Sequence, residues 1–250
     1  MSVGKSVGKS VGKSVGTMVV RGLTPVVRRL GPRAAGGFFR SILDAAIDGR
    51  SGFPGAIAVA ERQRARAGGD RVRACRAIVE QHVRLAGAQG FLTSLGGFAA
   101  LAFALPANVT GLAVLQTRMV AAIAYLRGYD LTDPRVRTAV VACLLGEEAA
   151  EALVRKGRLP STPLGLATAP VHDPSLDTKI AAELAAVLTA QVGGKRLGLS
   201  VSRRVPLLGG GVGAAVDAIA TYRVGRYAQR ELVPRHISQL SDPEGVSAPE

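Results

Sequence analysis

The side chains able to do chemistry in this sequence are few, and most lie far apart. Cys75 and His82 are seven residues apart, so one helix face can present a thiol and an imidazole, the pair that a thiol nucleophile and its base require. The sequence places no third group to orient the imidazole. The surrounding Val72, Ile78, Val79, Val83 and Ala86 follow the three-four spacing of a buried stripe, so a packed core pair is expected. His172 and His236 are remote from His82, and no HExxH, GxSxG or paired-Cys spacing occurs. Glu147, Glu148 and Glu151 group three carboxylates, but they follow Gly146 at a helix start, where the helix dipole favours solvated acids. The run GKSVGKS (Gly4 to Ser10) imitates a phosphate-binding loop. It fails on spacing, with three residues instead of four before the second glycine, and no apolar strand precedes it. No catalytic residue, metal site or cofactor is therefore expected.

One polar group stands out by its surroundings. Asp217 sits in GAAVDAIAT, flanked by apolar residues at nearly every helical neighbour, and Thr221 shares its face one turn later. A buried carboxylate must be paired or must raise its pKa, because leaving it isolated costs several kcal/mol. Gln116 and Arg118 interrupt the other long apolar segment. The expectation is a buried polar network of Asp217, Thr221, Arg118 and Gln116, with Arg118 as the ion-pair partner that fixes helix register; a ligand pocket or proton-sensitive contact is the alternative.

The elements that must position these groups read as helices throughout. Asp70 is an N-cap for the Cys75–His82 stripe. No charged residue occurs between Arg84 and Arg118. Pro106, Asn108 and Thr110 divide that run, and its first piece, Phe91 to Leu105, is shorter than the ~20 residues a membrane-spanning helix needs. A buried helical hairpin is expected, with a shallow membrane hairpin as the competitor. Gly128 is a C-cap, and Thr132, Asp133 and Pro134 start the next helix. Gly146 and Gly157 bracket EEAAEALVRK, with Glu151 and Arg155 at i,i+4 spacing. A loop spans Leu159 to Pro174, and an amphipathic helix follows from Asp177 to Val192. After Pro206 comes a helix whose glycine-rich front permits close packing. No alternating strand pattern appears. The fold class is all-α: a single multi-helix bundle with a glycine-rich central helix, an uncharged helical hairpin and flexible termini. The expected organisation is a basic arm over 1–40, a linker or short helix over 41–55, the helical domain over 56–232 and a disordered tail over 233–250.

Charge is concentrated in the arm. Of the net charge of +14, eight basic residues (Lys5, Lys9, Lys13, Arg21, Arg28, Arg29, Arg33 and Arg40) fall within residues 1 to 40, and the first acid is Asp44. SVGK occurs three times and is followed by SVGT, so half of each repeat is Gly or Ser, and disorder in water is expected. Against lipid the same period aligns Val, Gly and Lys stripes. The arm also imitates an organelle transit peptide, although Met18 to Val20 is too short for the apolar core of a signal peptide. Two cysteines without close spacing point to a reducing compartment. Aromatics are 4% and Trp is absent, which disfavours a base-stacking platform.

Two segments together resemble the EcsC family of bacterial proteins: LPANVTGLAVLQTRMVAAIAYLRGYDLTDPRVRTAVVACLLG (Leu105 to Gly146) and VGGKRLGLSVSRRVPLLGGGVGAAVDAIATYRVGRYAQREL (Val192 to Leu232). The similarity lies in a Pro-initiated apolar helix leading into an IA-x-L-x-G-x-D element, and in a later P-x-x-G-G-x-x-G helix with a mid-helix acid and a terminal VG-x-x-A pattern. It covers about Asp70 to Leu232. The resemblance implies an all-helical cytoplasmic protein of a family named after a gene beside an ABC transporter, and brings no catalytic residues with it. The SVGK repeats depart from the family pattern.

Taken together, these features predict a non-enzymatic protein at the inner face of the cytoplasmic membrane. Its partner is an anionic phospholipid surface or a membrane protein, engaged by the eight basic residues of the arm and by the apolar bundle. Nucleic acid is the second choice: a pI of 10.9 suits it, but no reading helix, zinc finger or RNA-binding aromatic signature is present; an enzyme of unrecognised class is the other alternative.

Overall fold

The computed structural model describes residues 32–50, 52–95, 97–186 and 206–235. Over these the chain is all-α: α1 (Pro32–Ile47), α2 (Ala56–Arg66), α3 (Arg71–Leu95), α4 (Gly97–Leu126), α5 (Pro134–Cys143), α6 (Glu147–Arg155), α7 (Pro163–Ala167), α8 (174–186) and α9 (Pro206–Glu231). A two-residue antiparallel ribbon, β1 (Gly49–Arg50) with β2 (Phe53–Pro54), links α1 to α2. The expectations for 1–31, for the basic linking stretch 187–205 and for 236–250 lie outside the described residues.

Local signals set most helix ends. Asp70 Oδ1 accepts from the Arg73 amide at 2.9 Å. Asp133 Oδ1 accepts from the Arg135 amide at 2.8 Å, with Pro134 at the first helical position. At the end of α4 the Gly128 amide donates to the Tyr125 carbonyl and the Tyr129 amide to that of Ala124, a Schellman closure that Gly128 permits with φ of 84°. Replacing Asp133 by alanine removes a cap, and we expect a loss of about 1 kcal/mol in urea unfolding. Asp133→Ser, which keeps an oxygen acceptor, should recover most of it.

Several boundaries differ from expectation: the loop expected over Leu159 to Pro174 contains α7, and α8 starts at residue 174 where Asp177 was expected. The arm was expected to reach residue 40, with a linker or short helix over 41–55; α1 is a helix over part of that range but starts earlier, at Pro32, and buries Phe39, Ile42, Leu43, Ala46 and Ile47, a helical core stripe. Arg33 and Arg40 therefore belong to a helix. The uncharged run was expected to break at Pro106, Asn108 and Thr110; instead α4 runs unbroken through all three. Proline's own φ is helical, and inside a helix it costs one donor without forcing a turn.

Over Met119 to Ala124 α4 is buried on every side, and it packs on α1, α2, α3, α5 and α9. The glycine-rich α9, expected at the centre, keeps one side exposed (Val216, Ile219, Tyr222, Arg223 and Arg226). Its most extensive packing is against α3. A Cβ built on Gly90 of α3 falls 2.5 Å from the Gly213 carbonyl oxygen, and one built on Gly225 falls 2.9 Å from the Val79 methyls. Forward along α3 is thus backward along α9, and glycine sets the spacing of this antiparallel pair.

Candidate functional site

The predicted network forms in part. Gln116 Nε2 donates to Thr221 Oγ1 at 3.1 Å, both side chains being buried. Asp217 is 1% exposed and stands one turn before Thr221, its carboxylate against Gly90. Arg118 is placed elsewhere. Its guanidinium lies 6.0 Å from the centroid of the Phe53 ring, burial lowers its pKa, and its charge acts on His82. The expected Arg118–Asp217 pairing is not built, for a helical reason: residues two apart point about 200° apart at 100° per residue, so Gln116 and Arg118 cannot both face α9.

The Cys75–His82 pair is core. The His82 Nδ1 sits 2.7 Å from the Ile78 carbonyl, which only accepts, so Nδ1 carries the hydrogen. Burial, aided by Arg118, pushes this imidazole down to about 4. Burial raises the pKa of both Cys75 and Cys143, which keeps them as thiols. Among the acids of α6, Glu151 pairs with Arg155 at 3.3 Å and Glu147 with Arg230, all four side chains being largely exposed. No cluster suited to a metal ion occurs among the described residues.

Sequence reasoning missed a cavity of about 320 Å³ enclosed by α1, α5, α8 and the residues before α8. Each helix contributes a stripe at i, i+3 and i+4: Gly36, Phe39 and Arg40 from α1; Pro134, Arg137 and Thr138 from α5; Pro174, Asp177 and Thr178 from α8. The floor is apolar, formed by the buried Phe39, Leu43, Val141 and Ile180. The mouth is polar. Arg137 pairs with Asp44 across α5 and α1. Thr138 Oγ1 is 2.5 Å from Asp177 Oδ1, 3.3 Å from His172 Nε2 and 2.9 Å from the Pro134 carbonyl. His172 Nε2 is 3.6 Å from Asp177 Oδ1. The one local signal was Thr138, a hydroxyl inside the apolar stripe of α5; its convergence with His172 and Asp177 is tertiary.

A second feature is a set of exposed apolar side chains on α3 and α9. Leu85, Phe91 and Leu92 of α3 and Val216, Ile219 and Tyr222 of α9 are exposed, Leu92 to 68% and Ile219 to 53%. Arg84, Arg223 and Arg226 are exposed on the same two helices. Among the described residues no helix is long and apolar enough to cross a membrane.

The fold and these surfaces define a helical protein with an uncharged hairpin packed on a glycine-rich helix. The family model of the EcsC protein family matches residues 69–237, and the chain belongs to that family. No curated protein and no solved structure matches it.

Proposed function

We propose that this EcsC family member is a non-enzymatic protein that docks peripherally on the inner face of the cytoplasmic membrane, on anionic lipid or on a membrane protein beside it. The observation that carries this reading is the charge layout: Lys5, Lys9, Lys13, Arg21, Arg28 and Arg29 precede α1 without a single acid. A basic residue near an anionic bilayer contributes about 1 kcal/mol, so six supply several kcal/mol at low salt, and the attraction weakens as salt shortens the screening length. The exposed face of α9, with Val216, Ile219 and Tyr222 beside Arg223 and Arg226, supports the reading, since amphipathic helix faces of this kind settle at the headgroup boundary.

The test is flotation of the full chain with vesicles of phosphatidylcholine alone and of phosphatidylcholine with phosphatidylserine, across a salt series. Binding should require the anionic lipid and fall steeply with salt. Replacing Lys5, Lys9 and Lys13 by Gln should weaken partitioning about a hundredfold at low salt. Equal binding to neutral and anionic vesicles would reject the electrostatic arm. Tighter binding to duplex DNA than to anionic vesicles at matched salt would replace this reading with nucleic-acid association.

A further inference from the structure

The cavity between α1, α5 and α8 belongs to none of the roles assigned so far, and its chemistry is divided. Below, Phe39, Leu43, Val141 and Ile180 offer hydrocarbon; above, ionic groups ring the opening. Within that ring each carboxylate has a protein partner: Asp44 meets Arg137, and Asp177 meets Thr138 and His172. Arg40 is exposed at the opening and joins no ion pair among the described residues. A guanidinium also carries five donors, so Arg137 keeps some beyond its bond to Asp44. Two arginines face two aspartates, so the opening carries no net charge; its surplus is of hydrogen-bond donors, concentrated on the guanidinium of Arg40, and what complements those donors is an acceptor-only anion above an apolar body. The size is set by the volume: about 320 Å³ lies at the lower end of ligand pockets. At about 30 Å³ for a water-sized group, it holds about ten such groups.

We infer that this cavity binds a single-chain amphiphilic anion, its hydrocarbon of about eight to ten carbons against Phe39, Leu43, Val141 and Ile180 and its carboxylate or phosphate on Arg40. The site uses none of Lys5, Lys9, Lys13, Arg21, Arg28 and Arg29, on which the membrane reading rests, so it stands or falls apart from that reading.

Calorimetric titration of the full chain with sodium carboxylates of six to fourteen carbons, below their micelle-forming concentrations, tests the inference. Affinity should climb about fourfold per methylene and level off near ten carbons, when the cavity is full. Continued gain to fourteen carbons would mean surface partitioning and overturn it. Arg40→Gln should weaken decanoate and decyl phosphate about tenfold while leaving decanol unchanged; an unaltered decanoate affinity, or preference for decyltrimethylammonium, would also overturn it. Decanoate against decyl phosphate separates a free carboxylate from a phosphate head as the natural source. Gly36→Leu supplies a blocked control that should fold, since a Cβ at Gly36 has its nearest neighbour, Thr178 Oγ1, at 3.8 Å. It should abolish binding with its helical circular dichroism intact, and retained binding would place the ligand outside the cavity. The triple Lys→Gln arm variant should bind decanoate normally.

Discussion

Gly90→Ala is expected to lower the unfolding free energy by about 3 kcal/mol and Tm by about 6–12 °C, although it adds a single methyl group. The new Cβ would lie 2.5 Å from the Gly213 carbonyl oxygen, 2.9 Å from that carbonyl carbon and 2.6 Å from Asp217 Oδ2. Two of those atoms are backbone and cannot rotate aside, so α3 and α9 must separate along their most extensive interface. Separation also disturbs the buried Asp217 carboxylate. Against this stands the better helix propensity of alanine, about 1 kcal/mol, which the quoted loss already includes. Gly87→Ala is the control. Its Cβ meets Ala214 and Ala218 at an ordinary 3.7 Å, so only the propensity gain remains and the variant should be slightly more stable. Gly225→Ala should fall between, because its neighbours, the Val79 methyls at 2.9 Å and Met119 Sδ at 3.1 Å, are side chains that can shift by a few tenths of an ångström. Urea unfolding of the three variants gives the order directly. Equal stability of Gly90→Ala and Gly87→Ala would show that glycine does not set this helix spacing.

What the sequence made legible is what depends on neighbours along the chain. The Asp70 and Asp133 caps, the Gly128 closure and the Glu151–Arg155 pair involve groups within a few residues of each other, and residue type alone implies their geometry. The α1 stripe of Phe39, Ile42, Leu43, Ala46 and Ile47 was equally local, but the basic run overlapping its start reads as a tail. Pro106 misled because proline's own φ is helical and its missing donor costs a long helix one bond without ending it. The Gln116–Thr221 bond links residues 105 positions apart and was anticipated from polarity within apolar helices. The direction of Arg118 was not, since a partner list built from burial ignores the angle between positions on one helix. The cavity was nearly invisible for a related reason: beyond the Thr138 hydroxyl in an apolar stripe nothing local marks it, and only the packing of α1, α5 and α8 makes Arg40, Thr138 and Asp177 a site.

Acid should destabilise the fold well before carboxylates titrate, through His82. The imidazole is 1% exposed, and its Nδ1–H is already committed to the Ile78 carbonyl at 2.7 Å. Protonation would place a charge in the core with Arg118 nearby; loss of solvation is the larger effect and the arginine a smaller one in the same direction. The folded protein therefore accepts this proton only near pH 4, while the unfolded chain accepts it near 6.5. Between those values the unfolded state holds more protons, so stability rises with pH, is fully present above about 6.5 and is lost as pH falls toward about 4. The difference corresponds to about 3 kcal/mol at 1.36 kcal/mol per unit. Carboxylates with lowered pKa values, Asp70 beside the Arg73 amide and Asp133 beside Arg135, act in the same sense at lower pH, below the ordinary carboxylate range, so the two windows separate. Urea unfolding from pH 7.5 to 4.5 should show the loss in the native chain. His82→Phe, which keeps a ring of similar size and cannot titrate, should flatten most of the slope whatever its baseline stability. Parallel slopes for the two proteins would assign the acid sensitivity elsewhere, and a His82 ring that titrates near 6.5 by NMR, identified by its absence from His82→Phe, would show that the core admits the charge.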